Sequence, residues 1–167
     1  MHRAFLAAIL LVASPAFAQE EMVTLKPAQF GKIFCIARLG NDMGPVIGIL
    51  AAGLTDAIAA AEAKDAEWAE ANPGDKPPLG DGIPWQSWPD YAPRCAVGSV
   101  TENLDGSAEV ELRYDFPDTP RADFTDRLIL EKTAIDEFGT EVWRISNVAY
   151  STGGDLRAFL AEAFPTN

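Results

Sequence analysis

Histidine is almost missing from this sequence. Its 167 residues include one histidine, His2, which lies in an N-terminal segment that we expect to be removed. The remaining chain then has no imidazole, which excludes Ser-His-Asp and Cys-His catalysis as well as histidine-based zinc sites. Any acid–base chemistry would have to use carboxylates, tyrosine, lysine or water.

Basic residues are also scarce. The sequence has 13 lysines and arginines against 25 aspartates and glutamates, which gives a formal net charge of −12 at pH 7. Nucleic acids and anionic membranes bind cationic surfaces, because binding depends on attraction to their phosphate groups. The charge therefore excludes both as partners, and the acidic surface most simply serves solubility.

Cysteine occurs twice, as Cys35 and Cys95, without a C-x-x-C motif or a second soft metal ligand. Two cysteines in one exported domain most simply form a disulfide with each other. Such a bond would close a loop of about 60 residues and stabilise the fold by about 4 kcal/mol in the chain-entropy model. The sequence therefore predicts a Cys35–Cys95 disulfide rather than a thiol site.

The longest apolar run lies at the N terminus, in MHRAFLAAILLVASPAFA. It follows a basic start and precedes small residues at Ala16 and Ala18, a pattern typical of a secretory signal peptide cut before Gln19. Its apolar part, about ten residues, is too short to cross a membrane. We expect residues 1–18 to be a signal peptide and residues 19–167 to form one exported domain without a membrane span. The domain would be periplasmic in a Gram-negative cell and otherwise secreted.

Helical patterns fill the first half of the remaining chain. Residues 26–42, KPAQFGKIFCIARLGND, carry apolar side chains at helical spacing and begin with Pro27, which suits a first turn. A second helical stretch begins near Asp42, is predicted to break at Gly53, and continues as an alanine-rich helix as far as Asn72-Pro73-Gly74. Its acidic residues are predicted to form a solvated face: Glu62, Asp65, Glu67 and Glu70.

Strand patterns fill the second half. Residues 108–116 alternate strictly between apolar and polar after an Asp105-Gly106 hairpin turn, which predicts a strand with one buried face. Similar strands are predicted before it and twice after it, and DLRAFLAEAF closes the chain as a short helix. Helices followed by antiparallel strands predict an α+β fold, with the helices packed on a curved sheet of about four strands. In the third strand, we expect Asp126 or Arg127 to point inward.

The helices and the sheet are joined by LGDGIPWQSWPDYAPRC, residues 79–95, which we call the aromatic loop. Trp85, Trp88 and Tyr91 could stack on a flat ligand while Asp81 and Asp90 accept hydrogen bonds from its hydroxyls. Alternatively, the rings fold down as a strap across the core, stiffened by the prolines and anchored by Cys95. The loop lacks the closely alternating acids of a calcium site, so we predict no metal and no cofactor.

The order of these elements resembles the nuclear transport factor 2-like superfamily. Two amphipathic helices, a loop, four strands that include VWRISNV, and a Leu-rich terminal helix are most similar to exported bacterial domains of unknown function. In those domains the loop carries Asp, Pro, an aromatic residue and Gln-Asp. Here GDGIPWQSWPD is similar in character but different in spacing. The resemblance covers most of residues 27–164 and implies a cone-shaped fold, often with a small-molecule pocket at its open end.

Two functions follow as hypotheses. The first is an exported, non-catalytic module that binds a small ligand or an envelope protein, as a monomer or a homodimer. The alternative is a lyase, isomerase or hydrolase of the cone type, which would use an aspartate with Tyr91, Tyr114 or Tyr150 in place of histidine. It predicts an inward carboxylate within hydrogen-bond reach of a tyrosine hydroxyl. A third hypothesis, a structural or inhibitory protein, would act through the aromatic loop or the sheet.

Overall fold

The fold is described by a computed structural model that covers residues 24–164. The predicted signal peptide, residues 1–18, lies outside these residues, so its cleavage stays a prediction. Three helices come first: α1 (Pro27–Leu39), α2 (Gly44–Ile47) and α3 (Ala52–Ala71). Four strands and a last helix follow: β1 (Arg94–Glu102), β2 (Ala108–Asp115), β3 (Phe124–Ala134), β4 (Glu141–Ala149) and α4 (Leu156–Glu162).

The predicted α+β class and the four-stranded antiparallel sheet are confirmed. The strands lie in the order β1-β2-β3-β4, so each pairs with the next one along the chain. On β2, the side chains of Ala108, Val110, Leu112 and Tyr114 are buried, and the alternate residues point away from the core. Within residues 24–164, no helix has the length and apolar character needed to cross a membrane.

Helix α1 lies against β1 and β2. Phe30 and Phe34 are fully buried, and Gly31 allows a close approach: a Cβ there would lie 2.8 Å from Cγ1 of Val110. The predicted disulfide joins Cys35 of α1 to Cys95 of β1, with 5.3 Å between their Cα atoms. Packing and a covalent bond therefore fix this helix on the sheet.

The break in the second helical stretch is not at Gly53, as the sequence predicts, but at residues 48–51. Gly53 lies instead within the first turn of α3. The chain turns at residues 48–49 and is extended at Ala51, where it pairs with β4. The Ala51 amide donates to the Ile145 carbonyl at 2.8 Å, and the Ile145 amide donates to the Ile49 carbonyl at 3.0 Å. These backbone bonds with a distant strand replace the helical ones.

Asp65 corrects the prediction of a wholly solvated acidic face on α3. Its carboxylate accepts a hydrogen bond of 2.7 Å from the backbone amide of Leu79, whose side chain is buried. Glu62, Glu67 and Glu70 are exposed as predicted. One acid of the helix therefore fixes the start of the aromatic loop.

Strand β1 is irregular where it passes Gly98. The register between β1 and β2 shifts between Val97 and Val100. At the shift, the Glu111 carboxylate of β2 accepts hydrogen bonds of 2.8 Å from both the amide and the hydroxyl of Ser99. Gly98 leaves the space for this contact, since a Cβ there would lie 2.3 Å from Oε2 of Glu111. The Arg113 side chain and the Ser99 amide lower the pKa of Glu111 to about 2.

Candidate functional site

Asp126 attaches the aromatic loop to the sheet. Of Asp126 and Arg127, one of which is expected to point inward, Asp126 is the buried residue. Arg127 points outward, and its Nε lies 3.2 Å from the Glu109 carboxylate. The fully buried Asp126 carboxylate accepts hydrogen bonds from the Ser87 amide at 2.8 Å and from the Ser151 amide at 2.9 Å. A buried carboxylate needs such partners, because it has lost its hydration. It therefore holds both the aromatic loop and the segment after β4.

Further contacts hold the loop in place. The Trp85 ring is buried and meets Phe34 edge to face, with the ring centroids 6.2 Å apart. The Tyr150 hydroxyl donates to the Pro84 carbonyl at 2.6 Å. The Gln86 amide nitrogen donates to the Trp88 and Asp90 carbonyls, each at 2.7 Å. Part of the loop is thus a strap over the core, with Trp85 as its anchor.

Other rings of the loop stay open to solvent. Trp88 is 42% exposed and Tyr91 is 58% exposed. With Phe159 of α4, they border a groove with a volume of about 460 Å³. Phe159 lies at helical spacing from the buried Leu156 and Leu160, but its own side chain is 41% exposed. Ligand sites commonly have volumes of this order and a predominantly apolar lining.

Arg38 also lines the groove. The side chain is buried, at 8% exposure, and its Nε donates to Oε1 of Gln86 at 3.2 Å. Its guanidinium carbon lies 4.6 Å from the ring centroid of Tyr91, whose hydroxyl donates to Asn41 Oδ1 at 2.9 Å. Among residues 24–164, no carboxylate pairs with Arg38, and its two terminal nitrogens donate no hydrogen bond. A buried cation thus has only uncharged partners in this part of the chain.

The aspartates singled out in the sequence are placed differently from the rings. Asp81 lines the groove but forms an exposed ion pair with Lys76. The Asp90 carboxylate accepts a long hydrogen bond of 3.4 Å from the Trp88 indole, and Asp90 is not among the residues that line the groove. The structure therefore brings Trp85, Trp88, Tyr91 and Asp81 to one groove and leaves Asp90 beside it.

Arg38 is not among the residues predicted above, although the sequence carries a signal for it. Arg38 lies four residues after Phe34 and eight after Phe30, so it continues the buried stripe of α1. A charged residue on an apolar stripe is a candidate for a buried, functional charge. Gln86 was noted only within the family resemblance, and neither helical nor strand periodicity distinguishes it within the loop.

Tyr114 carries an unsatisfied polar group in the core. Its hydroxyl is buried and has no hydrogen-bond partner in the described part of the chain. Burial raises the pKa of Tyr114, the negative charge of Asp126 raises it further, and the Arg38 guanidinium opposes this effect. The hydroxyls of Tyr91 and Tyr150 bond to Asn41 and to the Pro84 carbonyl. Thus none of the three tyrosines donates a hydrogen bond to a carboxylate within residues 24–164.

Replacing Tyr114 by phenylalanine should leave the free energy of unfolding unchanged or raise it by about 1 kcal/mol, because the substitution removes a buried hydroxyl without a partner. Tyr150→Phe is the matched control. It removes a hydroxyl that has a partner, and it should lower stability by about 1 kcal/mol. Urea denaturation of the two variants measures both changes. A larger loss in Tyr114→Phe than in Tyr150→Phe would contradict this description of Tyr114.

Over the residues that the structure describes, no three histidine, cysteine, aspartate or glutamate side chains are grouped so that they could hold a metal ion.

No family model, curated protein or solved structure matches the chain.

Proposed function

We propose that the protein is an exported, non-catalytic module that binds a small molecule in the groove bordered by Trp88, Tyr91 and Phe159. The observation that carries this proposal is the combination of three partly exposed rings and a buried guanidinium around one groove of about 460 Å³. A groove of this size suits a small ligand better than the broad surface of an envelope protein.

The groove is formed by a loop that is already fixed. Asp126 bonds to the Ser87 amide, Trp85 is packed in the core, and the Cys35–Cys95 disulfide lies at the end of the loop. Fixed rings lose little conformational entropy when a ligand binds, so more of the interaction energy remains as affinity. The strap and the binding site are therefore compatible roles of one segment.

The chemistry of the lining supports binding rather than catalysis. Among the lining residues that lie within 24–164, Asp81 alone carries a carboxylate, and it is paired with Lys76 at the surface. The buried carboxylate of Asp126 already accepts two backbone hydrogen bonds. General acid–base catalysis needs a group positioned against the reacting atoms, and these two acids are otherwise engaged.

Export and family membership belong to the same proposal. The Cys35–Cys95 disulfide supports an oxidising compartment, such as the periplasm, because cytosolic thiols are kept reduced. The order of helices, antiparallel strands and terminal helix supports a nuclear transport factor 2-like cone. That fold carries both enzymes and binding modules, so the function rests on the groove and not on the fold.

A screen of neutral and charged aromatic fragments by ligand-observed NMR tests the proposal. We expect some fragments to bind the wild type. The Trp88→Ala substitution should weaken their binding about tenfold, since one ring of the groove is lost. Phe138→Ala is the matched control, because Phe138 is an exposed ring on the distant β3–β4 hairpin. Equal affinity of the bound fragments for Trp88→Ala and the wild type would exclude this groove, and steady turnover of a bound compound would contradict a non-catalytic role.

A further inference from the structure

We infer that the ligand of this groove is an organic acid with a flat apolar body, and that its carboxylate is bound by Arg38. This inference rests on the proposed function and adds the chemical class of the ligand. It comes from the surroundings of one guanidinium.

The Arg38 side chain is largely buried, but its terminal nitrogens are not among the fully buried polar atoms that lack a partner, and the residue lines the groove. Burying a charge is costly unless it is paired and hydrogen-bonded. A guanidinium offers five N–H donors, and Arg38 uses only its Nε–H toward another described residue, at 3.2 Å from Gln86. The sequence has 25 acidic residues, yet none of those within residues 24–164 pairs with Arg38. Within residues 24–164 the terminal nitrogens therefore have no anionic partner, and because Arg38 lines the groove they are available to an anion bound there.

The orientation of the guanidinium is fixed by uncharged neighbours. The Gln86 amide nitrogen is held by the Trp88 and Asp90 carbonyls, which directs its oxygen to Nε of Arg38. The Tyr91 ring covers the guanidinium at 4.6 Å. These contacts occupy Nε–H and one face of the group, and they leave the two terminal nitrogens. Arginine nitrogens in a fixed plane bind a carboxylate through paired hydrogen bonds.

The remainder of the groove suits an apolar, flat ligand body. Trp88, Tyr91 and Phe159 are the partly exposed rings, and Trp85 lies deeper. Aromatic rings stack on flat groups and remove apolar area from water. Among the described residues that line the groove, Asp81 carries the one carboxylate, and it pairs with Lys76 at the surface. One anionic group on an aromatic body is the chemistry that these residues match.

Matched acids and amides test the inference on the unaltered protein. Indole-3-acetate and phenylacetate are titrated by calorimetry or NMR beside indole-3-acetamide and phenylacetamide, which have the same rings without the charge. We expect at least one acid to bind about tenfold or more tightly than its amide, because hydrogen bonds between charged groups are the stronger ones. The side-chain amide signal of Gln86 should shift with the acid.

Arg38→Gln provides the second arm of the test. It should lower the affinity for the acid more than the affinity for the amide, so that the preference for the acid is lost, while Trp88→Ala should weaken both to a similar extent. Circular dichroism and thermal unfolding establish that the variant is folded. If it is not, the preference for the acid and the Gln86 signal of the wild type still decide.

Other results would overturn the inference in distinguishable ways. If the amides bind as tightly as the acids, or if only neutral fragments bind the groove, the ligand class is wrong while the proposed function stands. An acid preference that survives in folded Arg38→Gln would place the anion elsewhere. If no fragment of any class binds, the proposed function fails together with the inference.

Discussion

Asp126→Asn should lower the free energy of unfolding by about 3 kcal/mol, because hydrogen bonds to a charged acceptor contribute about 1.5–3 kcal/mol each. The wild-type carboxylate accepts from the amides of Ser87 and Ser151, and it is fully buried. The asparagine keeps the shape of the side chain, but its NH2 group replaces one carboxylate oxygen. This group is a donor, so it cannot accept a hydrogen bond from the backbone amide that it faces. Urea denaturation measures the loss, and faster hydrogen exchange at Ser87 would locate it in the aromatic loop.

Glu131→Gln is the matched control for this prediction. It makes the same carboxylate-to-amide change on the same strand, at an exposed position, and should alter stability by no more than about 0.5 kcal/mol. An Asp126→Asn variant as stable as the wild type would show that the packing of Trp85 suffices to hold the loop. A ligand bound in the groove should also bind Asp126→Asn less tightly, since the rings are then less well positioned.

Removal of the disulfide should cost about 4 kcal/mol, because the bond restricts a long loop in the unfolded chain. Cys35 and Cys95 are 60 residues apart, and they are the two cysteines of the sequence. The double variant Cys35→Ser, Cys95→Ser can therefore be compared with the wild type in the presence and absence of reductant. The midpoint of urea unfolding should fall in the double variant, and that variant should not respond to reductant.

Thiol labelling gives an independent check on the disulfide. The oxidised protein should take up no label before reduction and should be labelled at both cysteines after it. Labelling of two thiols without reductant, or equal stability of the reduced and oxidised chains, would contradict the prediction. Cys35 lies three residues before Arg38 on α1. Reduction of the disulfide should therefore also weaken the binding of any ligand that depends on the Arg38 guanidinium.

Much of the fold could be predicted because local patterns and tertiary packing agree. The strict alternation of β2 requires one buried face, and Pro27 with the apolar stripe of α1 specifies a helix. The disulfide is predicted from two cysteines without a C-x-x-C motif in a chain that is expected to be exported. For β2 and α1, a short stretch of sequence is enough to predict the element, and for the disulfide the number of cysteines is the main observation.

The errors arose where partners lie far apart in the chain. The break at residues 48–51 depends on backbone pairing with Ile145, and no nearby residue signals it. Asp65 departs from the predicted solvated face because its partner is the Leu79 amide, 14 residues later. The burial of Arg38 depends on Gln86, 48 residues away. Periodicity reports which face of an element is apolar, but it does not report which distant polar group will meet that face.

The two edges of the sheet have a consequence for self-association. An edge strand with a continuous row of free amides and carbonyls can template another chain, which is how fibres and edge-to-edge polymers begin. On β1, the register shift between Val97 and Val100 makes the strand irregular. On β4, residues 49–51 bind both backbone groups of Ile145. An incoming strand would lose its register at either place. The register shift in β1 and the pairing of residues 49–51 with β4 therefore protect this sheet against polymerisation through its edges.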